Sequence, residues 1–377
     1  MSERELKEKN QERTIPFTFQ GLEEQARAKL SKEVFGYVAS GAGTEQTLRK
    51  NLEAFDQLTF RPHTCMQVDK VYTEIELLGT KLPFPILFAP VGNQKQVHPD
   101  GELASARAAN SLQIPYIAST VSSYTIEQIA KANENGKRWF QLYSTKDDEV
   151  TLNLVKRAEQ NGYSAIVLTV DMAQSWRVRD MKNNFLPFSR GQQPYPNLVS
   201  DPVFQQNYQG KLETDSLENT VRSIFPNSTF TWKKLKKLSK KTSLPILVKG
   251  ILNPEDARLA IQHGAKGIIV SNHGGRMLDG CMPAINALTD IVKEVDRKVP
   301  VLFDSGIRSA KDVMIALIMG ADAVLIGRPF VYGLALNGEK GVQTVFLDYF
   351  EEFRRSMRLA GISSIHQLKK LKLYNIK

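Results

Sequence analysis

Cysteine is nearly missing from this chain: Cys65 and Cys281 are the only two among 377 residues. Two thiols cannot staple a disulfide framework, and neither belongs to a C-x-x-C pair of the kind that holds zinc or does thiol redox chemistry. A metal-free, cytoplasmic protein is therefore expected. Long apolar runs are lacking too. No stretch approaches the roughly 18 consecutive apolar residues that span a bilayer, and the opening MSERELKEKNQERT is charged, without the apolar core of a secretory leader. Signatures of RNP, zinc-finger or helix-turn-helix modules are likewise missing.

What the chain has in excess is positive charge, +10 formally at pH 7. Its densest basic cluster, TWKKLKKLSKKTSLP, spaces Trp232, Leu235 and Leu238 three apart with lysines between, the pattern of an amphipathic helix with a solvated lysine face. No aromatic residues alternate with those lysines as base-stacking platforms would require. Nucleic acid is thus not the expected partner; a basic surface also concentrates small anionic substrates.

Short apolar runs recur along the chain: PILFAPVG (85–92), IPYIAST (114–120), RWFQLYS (138–144), AIVLTVD (165–171), PILVKG (245–250), GIIVSNHG (267–274), VPVLFDSG (299–306) and ADAVLIGRP (321–329). Helix-patterned segments such as TIEQIAKANEN and NPEDARLAIQHG lie between most of them. Strand and helix alternating eight times predict an α/β fold, a TIM (β/α)8 barrel over 85–360. Residues 1–84, helical at GLEEQARAKLSKEVFGYVAS and TEQTLRKNLEAFDQL, form an expected N-terminal appendage, and 361–377 a C-terminal tail. Between the fourth and fifth strands, residues 186–230 are polar, proline-bearing and without periodicity, and predict a long lid loop.

A barrel brings the carboxyl ends of all its strands to one mouth. That mouth would gather Pro90, Val91 and Gly92; Ser119; Gln141 with Tyr143; Thr169 with Asp171; Lys249; Ser271 with His273 and Arg276; Asp304, Ser305, Gly306, Ile307 and Arg308; and Gly327 with Arg328. A lone His-Gly pair reads more simply as a satisfied turn. So many polar groups at the ends of apolar runs, however, are costly to bury unpartnered and point to a polar ligand. DSGIR and IGRP each set a glycine beside an arginine, at the two strands after which barrels commonly bind phosphate.

These blocks, in the order FGYVASGAG, FAPVG, HPDGE, RWFQLY, LTVD, LPILVKG, GIIVSNHGGR, DSGIR and ADAVLIGRPFVYGLA, resemble the FMN-dependent L-2-hydroxyacid oxidases over residues 35 to about 360, and within that family the lactate oxidases. The resemblance implies FMN as cofactor, with Lys249 beside the flavin ring edge. Ser119, Gln141, Thr169, Ser271 and the backbone of Pro90, Val91 and Gly92 would hold the ring, and Asp304 through Arg308 with Gly327 and Arg328 the ribityl phosphate. It implies that Arg276, Arg177 and Tyr37 bind the substrate carboxylate, that Tyr143 meets its hydroxyl, and that His273 is the base oriented by Asp171. Arg179 competes with Arg177 for its role, because DMAQSWRVRD is one residue shorter than the family's pattern. A homotetramer or octamer, O2 as electron acceptor and hydrogen peroxide as product are also implied; a dehydrogenase and a lactate monooxygenase are the alternatives. Gly92 and Val121, small where relatives are larger, imply a roomy pocket that favours L-lactate over glycolate. Independently of the resemblance, an arginine fork suits a carboxylate, and oxidising a 2-hydroxyacid needs a base together with an electron acceptor that no side chain supplies.

Overall fold

Strands that are apolar along most of their length need cover on both faces, and the eight apolar runs find it as a ring. In the computed structural model, which describes residues 15–172, 177–185 and 195–376, they form β1 (Ile86–Phe88), β2 (Tyr116–Ser119), β3 (Arg138–Leu142), β4 (Ile166–Thr169), β5 (Ile246–Ile251), β6 (Gly267–Val270), β7 (Val301–Phe303) and β8 (Ala323–Ile326). All the ladders are parallel, in the order β1-β8-β7-β6-β5-β4-β3-β2, and β1 lies beside β2, nearly closing the barrel. The fold is the expected TIM barrel.

Helices cover the outside, and their starts are written in the sequence. Asp147 and Asn253 cap helices Asp148–Gln160 and Pro254–Gln262 with their side chains, and Thr125 and Ser309 form capping boxes ahead of Ile126–Asn133 and Ala310–Ile318. The basic cluster is the helix Trp232–Ser239, with Leu235 and Leu238 buried. After β8 a 32-residue helix, Arg328–Leu359, kinks at Asn337 and Gly338. No helix among the described residues is long and apolar enough to cross a membrane.

Ahead of β1, helices Phe19–Lys29, Lys32–Ala39 and Gln46–Asp56 pack on the ring. Phe35 stacks on Tyr332 at 6.0 Å, and Phe55 meets Phe303 edge-on at the same separation. The strand Leu58–Phe60 pairs antiparallel with Leu373–Asn375 near the other end of the chain.

The segment 186–230 departs from expectation. Residues 186–194 lie outside the described residues. The remainder is mostly helix rather than loop: Pro196–Val199, Pro202–Thr214 and Leu217–Ile224. Periodicity is faint in Pro202–Thr214, where Phe204 is the one buried position, and Leu217–Ile224 is only two turns long; the polar residues Asp201 and Ser216 serve as caps. A buried ion pair anchors the segment. Arg157 reaches Asp201 Oδ2 at 3.2 Å, donates to the Asn197 carbonyl at 2.7 Å and holds both oxygens of Glu127. Removing one partner of a buried pair strands the other charge. Arg157→Ala is therefore expected to cost about 3 kcal/mol and to render the 195–224 helices cleavable by trypsin at temperatures where the wild type resists, as limited proteolysis on a thermal gradient would measure.

Candidate active site

The carboxyl ends of the strands enclose one large cavity of about 1440 Å³ including its open mouth. Tyr37, Pro90, Val91, Gly92, Ser119, Tyr143, Arg177, Lys249, His273, Arg276, the run Asp304–Arg308, Gly327 and Arg328 all line it. Gln141, Asp171 and Ser271 stand one layer behind, bonded to lining groups, and Thr169 is bonded to Gln141. Ser119 Oγ donates to Gln141 Oε1 at 2.9 Å, and Gln141 Nε2 donates to Thr169 Oγ1 at 3.1 Å, a polar ladder across β2, β3 and β4.

Strand β5 breaks its register between Lys249 and Ile251. Gly250 sits there at φ +105°, and a Cβ on it would lie 2.7 Å from both Cβ and Cγ of Asp171. The irregularity thus makes room for Asp171 and aims Lys249 at the mouth. Lys249 Nζ lies 3.0 Å from Asp304 Oδ2 and donates to Ser271 Oγ at 2.9 Å. Burial works against its charge, but Asp304 and Asp171 outweigh that and raise its pKa. Lys249 is a cation at any physiological pH.

His273 follows β6 in left-handed backbone, φ +57°, a conformation histidine adopts more readily than most residues. The turn is pinned from both sides. Asn272 exchanges two 2.8 Å amide bonds with Asn51, and Ser305 Oγ accepts from the Asn272 and Gly274 N–H groups. His273 Nδ1 lies 2.9 Å from Asp171 Oδ1. A carboxylate can only accept there, so Nδ1 carries a proton; Nε2 lies 3.4 Å from the Tyr143 hydroxyl and presents a lone pair to it when the ring is neutral. Burial tends to raise the Asp171 pKa, yet His273 and Lys249 hold it below the usual carboxylate range. Burial first, and Asp171 second, push the Tyr143 phenol well above its ordinary value, so it stays an O–H donor.

Four guanidinium groups share the cavity wall. Arg177 Nε donates to Asp180 Oδ2 at 2.7 Å, and its Nη1 and Nη2 to the Ser40 carbonyl and hydroxyl. Arg276 bonds through Nη1 to the carbonyls of Tyr37, Val38 and Ser40, and lies over the Tyr37 ring. Arg328 donates to the carbonyls of Val38, Gly274 and Ser40. Arg308 caps the Phe19 ring at 4.3 Å, and its buried Nε has no hydrogen-bond partner among the described residues. Desolvation and the neighbouring guanidiniums lower the pKa of Arg177 to about 10 and of Arg328 to about 9. Arg308 is lowered as well, by desolvation. So many cations with so few anions make a site that calls for anionic ligands. Arg179, the competitor of Arg177, turns outward to Glu45 at 3.2 Å and does not line the cavity.

Several lining residues had no signal in the sequence. Met172, Tyr195, Phe225 and Met277 form an apolar part of the wall, and Asn93 Nδ2 donates to the Tyr37 hydroxyl at 3.4 Å. Tyr195 and Phe225 come from the segment expected to be loop. Gly92 corrects an expectation: a Cβ there would meet Val121 O at 2.5 Å and Val121 Cγ2 at 2.6 Å. The missing methyl therefore serves the contact between the β1 and β2 loops rather than enlarging the pocket.

The donor set fits a flavin mononucleotide. Arg308, Arg328 and the glycine backbone at Gly306 and Gly327 supply a cationic phosphate pocket, the orphaned Arg308 Nε included, while Lys249 and the Ser119–Gln141–Thr169 ladder offer a polar edge to a heteroaromatic ring. Comparison with known proteins agrees. Residues 26–375 match the family model described as FMN-dependent dehydrogenase. The chain is 45% identical to the L-lactate oxidase of Lysinibacillus sphaericus, with 95% of this chain and 93% of that protein covered. It is 42% identical to glycolate oxidase 1 of Oryza sativa subsp. japonica, with 93% of each covered. A crystal structure of mandelate oxidase superposes with a TM-score of 0.85 at 39% identity, over 96% of this chain and 99% of that one. With fold, cavity and sequence in agreement, the chain belongs to the FMN-dependent dehydrogenase family and is an FMN-using enzyme of the 2-hydroxyacid oxidase kind.

Proposed function

We propose that the protein oxidises L-2-hydroxyacids, L-lactate foremost, to 2-oxoacids, with O2 as the final acceptor and hydrogen peroxide as product. The observation that carries this reading is the Tyr143–His273–Asp171 relay set in the same wall as Arg276 and Arg177. Arg276 spends only Nη1 on the described residues, so Nε and Nη2 are left to grip a carboxylate bidentately. Arg177 and the Tyr37 hydroxyl close on the same group. A carboxylate fixed there brings the neighbouring hydroxyl to Tyr143 and to the His273 Nε2 lone pair. His273 takes the hydroxyl proton, and Asp171, ionised and bonded to Nδ1, stabilises the imidazolium that results. FMN held in the same cavity would supply the two-electron acceptor that no side chain provides, with O2 as the final acceptor. Lys249, Ser119, Gln141, Thr169, Ser271 and the backbone of Pro90, Val91 and Gly92 would hold its ring; Asp304–Arg308, Gly327 and Arg328 would hold its ribityl phosphate.

The substrate's 2-substituent meets the apolar wall of Val121, Met172, Tyr195, Phe225 and Met277. A methyl group gains about 0.8 kcal/mol on burial there, which favours L-lactate over glycolate by roughly fourfold in kcat/KM. The resemblance to lactate oxidases supports the same choice, together with a cytoplasmic homotetramer that sedimentation would identify. L-lactate with stoichiometric peroxide is the expected outcome of an oxygen-electrode assay. Acetate and CO2 would instead mark a monooxygenase, and a glycolate preference would overturn the substrate assignment.

Two substitutions separate the roles. His273→Gln is expected to keep FMN bound while slowing anaerobic flavin reduction by L-lactate at least a hundredfold, as stopped-flow absorbance would record. Arg308→Ala is expected to weaken FMN binding by roughly ten- to a hundredfold, the worth of one charge-assisted hydrogen bond. Flavin fluorescence titration of the apoprotein measures that loss.

A further inference from the structure

One carbonyl in the N-terminal region receives three of the four cavity guanidiniums. Ser40 O accepts from Arg177 Nη1 at 2.7 Å, from Arg276 Nη1 at 3.2 Å and from Arg328 Nη2 at 3.2 Å. The Ser40 hydroxyl accepts from Arg177 Nη2 at 3.1 Å. Ser40 caps the helix Lys32–Ala39, whose final carbonyls have no intrahelical donors left. Two of them are taken by the same cluster: Tyr37 O by Arg276 at 2.6 Å, and Val38 O by Arg276 and Arg328. The helix end carries about half a negative charge, aimed where the arginines crowd.

We propose that Ser40 is a positioning residue for recognition of the substrate carboxylate: its carbonyl and hydroxyl, with Asp180, hold Arg177 and Arg276 so that their remaining donors face the substrate. The proposal rests on the carboxylate roles given to those arginines above. A guanidinium has five N–H groups. Arg177 commits three of them, to Asp180 Oδ2, Ser40 O and Ser40 Oγ, which fixes its plane and leaves two for a ligand. Carbonyl oxygens suit this task better than further carboxylates would. They orient the fork and soften the repulsion among the cations, but as neutral acceptors they compete weakly with an incoming anion. The mounting is itself rigid. Gly41 N–H donates to Glu45 at 2.8 Å, and Ala42 N–H to the Gly275 carbonyl at 2.8 Å, so the Ser40 loop is tied to the turn that carries His273 and Arg276.

Steady-state kinetics on the FMN-loaded enzyme test this with Ser40→Ala, Ser40→Thr and, as comparator, Arg177→Lys. Ser40→Ala deletes one acceptor of Arg177 and is expected to raise the KM for L-lactate and the Kd for oxalate, an unreactive dianion, by roughly five- to tenfold. The kcat should stay within threefold, and FMN affinity and Tm should match the wild type. Ser40→Thr, which keeps the hydroxyl, should restore both constants. A wild-type KM in Ser40→Ala alongside a raised KM in Arg177→Lys would overturn the role of Ser40 and leave the carboxylate assignment standing. Wild-type KM in both would overturn the carboxylate assignment and this proposal with it. A Ser40→Ala protein that loses FMN affinity or Tm in step with KM, or a Ser40→Thr protein as impaired as Ser40→Ala, would show a merely structural serine and also overturn it.

Discussion

Mutual repulsion among four guanidinium groups is the constraint around which this barrel mouth is organised. Arg177, Arg276, Arg308 and Arg328 line one cavity, and the lowered pKa values of Arg177, Arg308 and Arg328 record how little water is available to screen them. The surrounding structure offsets that repulsion by different means. Asp180 supplies a full charge, the helix Lys32–Ala39 its carboxyl-end carbonyls, and the Phe19 and Tyr37 rings their electron-rich faces. None of these saturates the donors. What is left over is an appetite for anions at two places, which suits a carboxylate at one and a phosphate at the other.

A second pattern is that the chemistry sits where regular backbone ends. Lys249 and Asp171 depend on a break in β5, His273 stands at φ +57°, and Ser305, whose hydroxyl pins the His273 turn, at φ +85°. Left-handed positions of this kind cost on the order of 1–3 kcal/mol each, and the rigid ring behind them sustains it. Strands buried on every side provide the stability that the mouth does without.

The ring and the roster of groups at its mouth were legible in the sequence, because apolar runs of strand length and polar residues at their ends are both local signals. Less legible was anything that depended on backbone acceptors. Ser40 O has no side-chain signature, and the match to FGYVASGAG gave no hint that three arginines converge there. The place of Arg177 three residues before Asp180 already favours it over Arg179 in the sequence, and in the structure those two side chains, Arg177 and Asp180, bond to each other. The helices of 195–224 escaped notice because Pro202–Thr214 buries only Phe204 and Leu217–Ile224 is only two turns long. Gly92 misled, since a missing side chain looks the same in a sequence whether it opens a pocket or lets two loops touch.

Ser40 and Arg328, joined through one carbonyl, are 288 residues apart in the chain. At about 5–20 residues per second, a ribosome that has made Ser40 takes roughly 15 to 60 s more to make Arg328. Until then β8 is missing and the ring is open. Arg177 and Arg276, made earlier, share the same helix-end carbonyls, and Arg328 completes the set. A nascent chain that stops short of Arg328 therefore lacks one of the four guanidiniums of the cavity wall.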